Sequence, residues 1–277
     1  MLSTVYFNGA YLNREDARLH VSDLSILRGY GVFDYFRYAD GKPRFIADHL
    51  KRFRRSAAFL HLPLAPSDTE LTEIVHTLIE RNGMPEGGIR FVLTGGFSPD
   101  GYTPQEPNLL ALPYPFAAPP DQWYDTGVTV YLHRYTRQLP EAKTIDYVEG
   151  IRIQPLLQRV AAHYPLYVDD ADQVRESDRS NFMIVRDGTL ITPRENILLG
   201  ITRQHLLEVA RATGMPTVER NVSVEDVLAA DEAIICSSVK GAMPITKVLG
   251  GLISRDKNYG APGPATRKLI AAWREYV

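Results

Sequence analysis

Cysteine is nearly absent: Cys236 is the only one in 277 residues. That excludes an internal disulfide and any zinc site built on several thiolates. Net charge is almost absent too, with 31 Lys and Arg against 33 Asp and Glu for a formal charge of -2. A nucleic-acid binder would carry a basic excess or stripe, so no such partner is expected. No apolar run approaches the ~18 residues needed to span a bilayer. Met1 to Tyr11 show no basic region leading into an apolar stretch, so neither a membrane partner nor a leader is expected. The seven histidines include no pair at zinc-ligand spacing, which argues against a metal site. GxxxxGK[ST], GxSxG and HExxH are all missing. Gly29-Tyr30-Gly31 gives only two glycines of a dinucleotide fingerprint, because position 34 is Asp. These absences lead to the expectation of a cytoplasmic, soluble protein that is neither a metalloenzyme nor a serine hydrolase.

What is present is an ordinary globular composition, 44% hydrophobic and 23% charged. At ~150 residues per domain the length suggests two domains. Seven of the 19 prolines fall between Pro99 and Pro120, and proline neither continues a helix nor donates to a sheet. The expected division is a small N-terminal α+β domain over residues 1–118, a linker over 119–127 and a larger α/β domain over 128–277. In the first part, Asn8-Gly9 and Asp40-Gly41 read as hairpin turns, the second between strands Val32–Tyr38 and Pro43–Ile46. Helices are predicted from about Ala47 to Leu60 and from the capping-box sequence Ser67-Asp68-Thr69-Glu70 to Gly83. Strands Ile89–Thr94 and Leu109–Leu112 follow. In the second part, strands are predicted at Val128–Leu132, Asn181–Val185, Leu190-Ile191 and Glu232–Cys236. Helices are predicted from Ile201 to before Gly214, at Ser223-Val224-Glu225-Asp226 and over Pro264–Tyr276. Cys236, in an apolar run, reads as a core residue.

Five segments carry a shared pattern. They are Asp48-His49-Leu50-Lys51-Arg52 with Ser56-Ala57; Lys143-Thr144-Ile145-Asp146-Tyr147; Glu176 to Phe182; Ile191-Thr192-Pro193 running to Gly200-Ile201-Thr202-Arg203; and Ala230-Asp231-Glu232 followed by Ser237, Ser238 and Pro244. In this order and spacing the chain resembles the class IV aminotransferases, the pyridoxal-phosphate enzymes of fold type IV, over roughly residues 5 to 250. That family holds branched-chain aminotransferases, D-amino-acid transaminases, R-selective amine transaminases and aminodeoxychorismate lyases. The resemblance implies an α/β homodimer with pyridoxal 5'-phosphate bound between two domains and each active site completed by the neighbouring subunit.

It also implies roles. Lys143, one of seven lysines, matches the lysine whose amine holds the cofactor and shuttles a proton on the substrate. Glu176 matches the carboxylate that keeps the pyridine nitrogen protonated, and Tyr147 the tyrosine that meets the phenolic oxygen. For the phosphate, Ile201 and Thr202 open a helix whose first N–H groups favour an anion. Ser237, Ser238 and Arg52 add hydroxyls and a charge-assisted bond.

The substrate's hand is set by where its carboxylate is held. The family's D-specific Arg-x-His pair is replaced by Ser98-Pro99-Asp100-Gly101-Tyr102, and its branched-chain Tyr-x-Arg by Gly88-Ile89-Arg90. Arg179 and Arg28 stand where the family usually has uncharged residues, and a guanidinium buried near a site implies an anionic partner. Both are expected to bind substrate carboxylates, Arg28 from the neighbouring subunit; the alternative is that they pair with Asp178, Asp23 or Asp34. Phe33 and Tyr35 share a strand face, and with Tyr30 and Tyr102 are candidates for the side-chain pocket. The expected function is transamination between a D-amino acid and a 2-oxo acid, 2-oxoglutarate or pyruvate, by a ping-pong cycle. The alternatives are an L-branched-chain aminotransferase using Arg90, an aminodeoxychorismate lyase, an R-selective amine transaminase and a scaffold that kept only the fold.

Overall fold

The protein is described here by a computed structural model covering residues 3–277. It divides into two compact units. One runs to Ala117 and takes in Ala142–Asp146; the other comprises Ala118–Glu141 and Tyr147–Val277.

The first unit opens with β1 (Thr4–Phe7) and β2 (Ala10–Asn13), paired across Asn8-Gly9, both at positive φ. Asp23 caps the short α1 (Leu24–Arg28). β3 (Gly31–Ala39) turns at Asp40-Gly41 into β4 (Lys42–Pro43), which is only two residues long. Ile46, expected at the end of that strand, instead opens α2 (Ile46–Phe59). The capping box predicted at Ser67 and Glu70 starts α3 (Asp68–Asn82), and Gly83 ends it in the left-handed conformation. β5 (Glu86–Thr94) and β6 (Leu109–Tyr114) complete an antiparallel sheet in the order β2-β1-β6-β5-β3-β4.

Alternation along β3 sorts its side chains. Val32, Asp34, Phe36 and Tyr38 are buried. Phe36 and Phe91 lie 6.0 Å apart, and Phe53 of α2 stacks on Phe91 at 5.6 Å. Burying each such ring stabilises the unit by about 1.5–3 kcal/mol. Phe33, Tyr35 and Arg37 occupy the other face. The segment Ala142–Asp146 lies along β3: the Phe33 N–H donates to the Lys143 carbonyl at 2.9 Å and the Ile145 N–H to the Gly31 carbonyl at 3.1 Å.

The second unit carries α4 (Gln122–Thr126), inside the stretch expected to be a linker, then β7 (Val128–Arg134), α5 (Val148–Arg152) and α6 (Gln154–Arg159). Next come β8 (Tyr164–Val168), β9 (Gln173–Val174), β10 (Asn181–Arg186), β11 (Thr189–Thr192) and α7 (Ile201–Ala212). They are followed by β12 (Thr217–Glu219), β13 (Val222–Ser223), α8 (Val224–Ala229), β14 (Glu232–Ser237), β15 (Gly241–Leu249), β16 (Lys257–Asn258) and α9 (Pro264–Tyr276). The strands form one mixed sheet in the order β12-β11-β10-β14-β15-β7-β8-β9-β13, with β16 added on β15. α7 and α9 cover one face, where Leu206, Leu207 and Leu269 pack on Met183, Ile234 and Cys236. Cys236 is a core residue, as expected, and burial pushes its thiol up to about 12. Glu232 serves the fold: its carboxylate accepts from the Ala265 and Thr266 N–H groups at 3.0 and 2.7 Å, capping α9.

Candidate active site

In the first unit, Lys143 lies in the segment hydrogen-bonded along β3. Its ammonium sits 4.5 Å from the centre of the Phe33 ring, and its backbone N–H donates to Ser56 Oγ at 3.1 Å. Ser56 is fully buried on α2, so the lysine backbone is fixed from both sides by ordinary hydrogen bonds. On the same face of the sheet, Arg90 pairs across from Tyr35 and lies over the Phe33 and Tyr114 rings at 5.3 and 5.2 Å. Phe33, Arg90 and Lys143 are thus brought together. Tyr30 is directed elsewhere, its hydroxyl donating to the Leu60 carbonyl, and Tyr102 is 81% exposed.

Behind the strand, on its α2 side, Arg52 makes a two-pronged ion pair with Asp34, Nε to Oδ2 at 2.8 Å and Nη2 to Oδ1 at 2.7 Å. His49 Nδ1 meets the same Oδ1 at 2.8 Å. All three side chains are buried. Burial works to raise the Asp34 pKa, but Arg52 and His49 outweigh it and hold the carboxyl well below the usual range. Burial lowers the His49 pKa against the pull of Asp34, which favours a neutral ring. The Arg52 charge expected for phosphate is therefore shared with Asp34. Arg52 Nη1 makes no hydrogen bond among the described residues. The i,i+3 spacing of His49 and Arg52 placed both on one helix face, and the sequence signal for their partner was a lone carboxylate inside an aromatic strand.

In the second unit, Glu176 is buried and fully engaged. Oε1 accepts from Arg137 at 2.7 Å; Oε2 accepts from the Leu198 N–H at 3.1 Å and from Asn181 Nδ2 at 3.3 Å. Arg137 was not foreseen from sequence, where it is one loop arginine among many. Burial opposes its charge, and Glu176 outweighs that and raises its pKa. Burial also pushes the Tyr147 phenol up to about 12, so it stays protonated and can donate. α7 begins at Gly200 with no side-chain cap among the described residues, and Ile201 and Thr202, its first two residues, are buried. Ser237 ends β14 and Ser238 opens the turn after it, where the Lys240 N–H closes onto the Ser237 carbonyl at 3.1 Å.

The two arginines expected to be buried are not. Arg28 is exposed at the end of α1, and Arg179 is 60% exposed, with its Nε 3.0 Å from Asp178 Oδ2. A charge left in water needs no compensating anion, so burial gives no argument for carboxylate binding; their place in the chain is the argument that remains. Lys240, 7% exposed, is a buried cation that sequence reasoning did not single out.

Taken unit by unit, these donors suit the separate groups of a phosphorylated pyridine aldehyde. An uncapped helix start with hydroxyls suits the phosphate, a buried carboxylate locked by an arginine suits a pyridinium, and a lysine amine suits the aldehyde carbon. The model for amino-transferase class IV matches residues 31–248. The chain is a class IV aminotransferase. It is 29% identical to a D-alanine aminotransferase of Staphylococcus epidermidis, over all of this chain and 98% of that one. It is 28% identical to a putative branched-chain-amino-acid aminotransferase of Methanocaldococcus jannaschii, over 98% of this chain and 95% of that one. A solved branched-chain aminotransferase from T.th., with pyridoxamine 5'-phosphate, shares the fold of this aminotransferase, with a TM-score of 0.89 at 21% identity over 99% of this chain and 93% of that one. The fold is the α/β fold type IV, as expected, and the cofactor of this aminotransferase is pyridoxal 5'-phosphate.

Proposed function

We propose that the aminotransferase moves an amino group between D-amino acids and a 2-oxo acid, 2-oxoglutarate or pyruvate, by a ping-pong cycle. The carrying observation is Arg179: its guanidinium stands on the same short loop as Glu176, three residues on, anchored by Asp178. Pyridoxal phosphate supplies the electron sink and carries the amino group between half-reactions. Lys143 holds it and moves the proton at the substrate Cα. Glu176, locked by Arg137, keeps the pyridine nitrogen protonated, and the Tyr147 phenol donates to the ring oxygen. The Ile201 N–H, Thr202, Ser237, Ser238 and Arg52 hold the phosphate. Arg179 and Arg28 hold the substrate carboxylate, with Phe33 against its side chain.

Arg28 would come from a second copy of the chain. Val21, Ile26, Leu27, Phe97 and Tyr102 are exposed. The segment around α1 and the 96–102 loop are tied by the Leu24 N–H to Gly96 carbonyl and Ser98 N–H to Ser22 carbonyl bonds, both 3.0 Å. The apolar residues therefore form one patch beside Arg28, suited to a homodimer interface. Among the described residues no helix is long and apolar enough to cross a membrane.

A second reading, an L-branched-chain aminotransferase, is favoured by Arg90, which lies on the same face as Phe33 and Lys143. The test is a half-reaction. The cofactor-loaded enzyme is mixed separately with D-alanine, D-glutamate, L-leucine and L-glutamate, and the loss of its visible absorbance is followed. Fast loss with the D-enantiomers alone is expected, and Arg179→Ala should raise KM for D-amino acids about tenfold or more. Fast loss with L-leucine and L-glutamate instead would move the assignment to the branched-chain class.

A further inference from the structure

Lys240 is a buried ammonium without a carboxylate. Its Nζ donates to Ser180 Oγ at 3.1 Å and lies 4.5 Å from the centre of the Tyr164 ring, and Ser180 is itself buried. Among the described residues no acidic group lies within ion-pair distance of it. The one carboxylate in its surroundings, Asp178, is already paired with Arg179. Its partner Ser180 directly follows Arg179, so this hydrogen bond ties Lys240 to the loop that carries Arg179. With Asp178 taken by Arg179, the buried Lys240 charge has no anion of its own among the described residues. Removing an ammonium from water without a counter-ion costs several kcal/mol, and an anionic ligand is the ordinary compensation.

We propose that Lys240 binds a carboxylate of the substrate beside Arg179 and so selects dicarboxylic amino acids and 2-oxo diacids over monocarboxylic ones. This rests on the reading that Arg179 meets the substrate's own α-carboxylate. With that group engaged, a monocarboxylic substrate has nothing left for the ammonium, and a diacid has a second carboxylate. A carboxylate arriving there replaces bulk water as acceptor for the remaining ammonium hydrogens, and the Ser180 hydroxyl and Tyr164 ring keep the amine oriented. Burial, with Arg179 adding to it and Asp178 and Cys236 opposing, brings the Lys240 pKa down to about 8. Its charge, and with it the preference for diacids, should fade as the pH rises through that value.

The test uses the full-length enzyme loaded with pyridoxal phosphate. In Lys240→Met, the ratio of kcat/KM for 2-oxoglutarate to that for pyruvate should fall at least about tenfold. The Kd for glutarate, read by calorimetry, should rise by a similar factor relative to that for propionate. Lys240→Arg should restore most of both ratios. In the native enzyme, glutarate should weaken relative to propionate between pH 7 and 9, and in Lys240→Met that trend should be absent. The native pH series decides the matter even if the methionine variant does not fold. Equal shifts for mono- and diacids, or none, would overturn the proposal. So would an unchanged ratio with weakened cofactor retention in equilibrium dialysis, which would assign Lys240 to the cofactor phosphate. Arg179→Ala separates the two readings: a raised KM for both acid classes supports the carboxylate role of Arg179, and no change removes it while the diacid ratio still judges Lys240.

Discussion

Glu176 illustrates how a single buried side chain is held in place by its neighbours. Its carboxylate accepts from Arg137, the Leu198 N–H and Asn181, so its rotamer is fixed before any ligand arrives. Removing one partner of a buried ion pair leaves an uncompensated charge, with a penalty of about 3–5 kcal/mol. Arg137→Met should therefore lower the urea midpoint clearly. The double variant Arg137→Met with Glu176→Gln should recover much of that stability without recovering activity. Unfolding curves and single-turnover rates on the two proteins check this. The residues that the family pattern names, Lys143, Glu176, Tyr147 and Thr202, could be put forward from the sequence because each lies beside distinctive neighbours. Arg137 and Lys240 were not, because nothing in local composition tells a buried cation from a solvated one. The same gap produced the opposite error at Arg28 and Arg179, where a burial assumed from position gave way to exposure.

At the scale of elements, legibility followed local chemistry. Capped or glycine-stopped helices were predicted within a residue or two, since Ser67, Gly83 and Ser223 impose their geometry on a few neighbours. β8 was missed because Pro165 argues against a central strand. The Tyr167 N–H points to the β9 side, donating to the Glu176 carbonyl. By alternation the nitrogen of Pro165 faces that same side, where β9 pairs only at Val168, so no ladder bond is lost. The start of α7 shows how tightly element and site are joined. A Cβ on Gly200 would stand 1.9 Å from Asn181 Oδ1, and Asn181 also donates to the Leu198 carbonyl at 2.7 Å. Gly200→Ala must therefore push Asn181 away from Glu176. The expected result is at least about tenfold weaker cofactor retention by equilibrium dialysis, with a far-ultraviolet spectrum unchanged. A variant that keeps its cofactor as tightly as the native chain would show that Asn181 does not act through Glu176.

For the whole molecule, the exposed patch around α1 makes a quantitative demand on assembly. Leu27→Asp places a charge in the middle of that patch. If the chain pairs through this patch as proposed, the variant should run as a monomer in light scattering at micromolar concentration where the native chain runs as a dimer, with loss of activity, because Arg28 would no longer be delivered to a neighbour. A dimer that persists would place the interface elsewhere. The segment Ala142–Asp146 has a different consequence. The chain passes from one unit to the other after Ala117, returns for five residues at Ala142, and leaves again after Asp146. Those five residues cover the outer edge of β3 and contain Lys143, yet they are encoded in the middle of the second unit's sequence. A gene cut after residue 117 would yield a first fragment with an unpaired strand edge and without Lys143, and a second fragment carrying Lys143 on a segment with nothing to pair against. Recombination between relatives cannot exchange either unit as one continuous block, so Lys143, the lysine proposed to hold the cofactor, and the β3 edge it lies along are inherited from different parts of the gene.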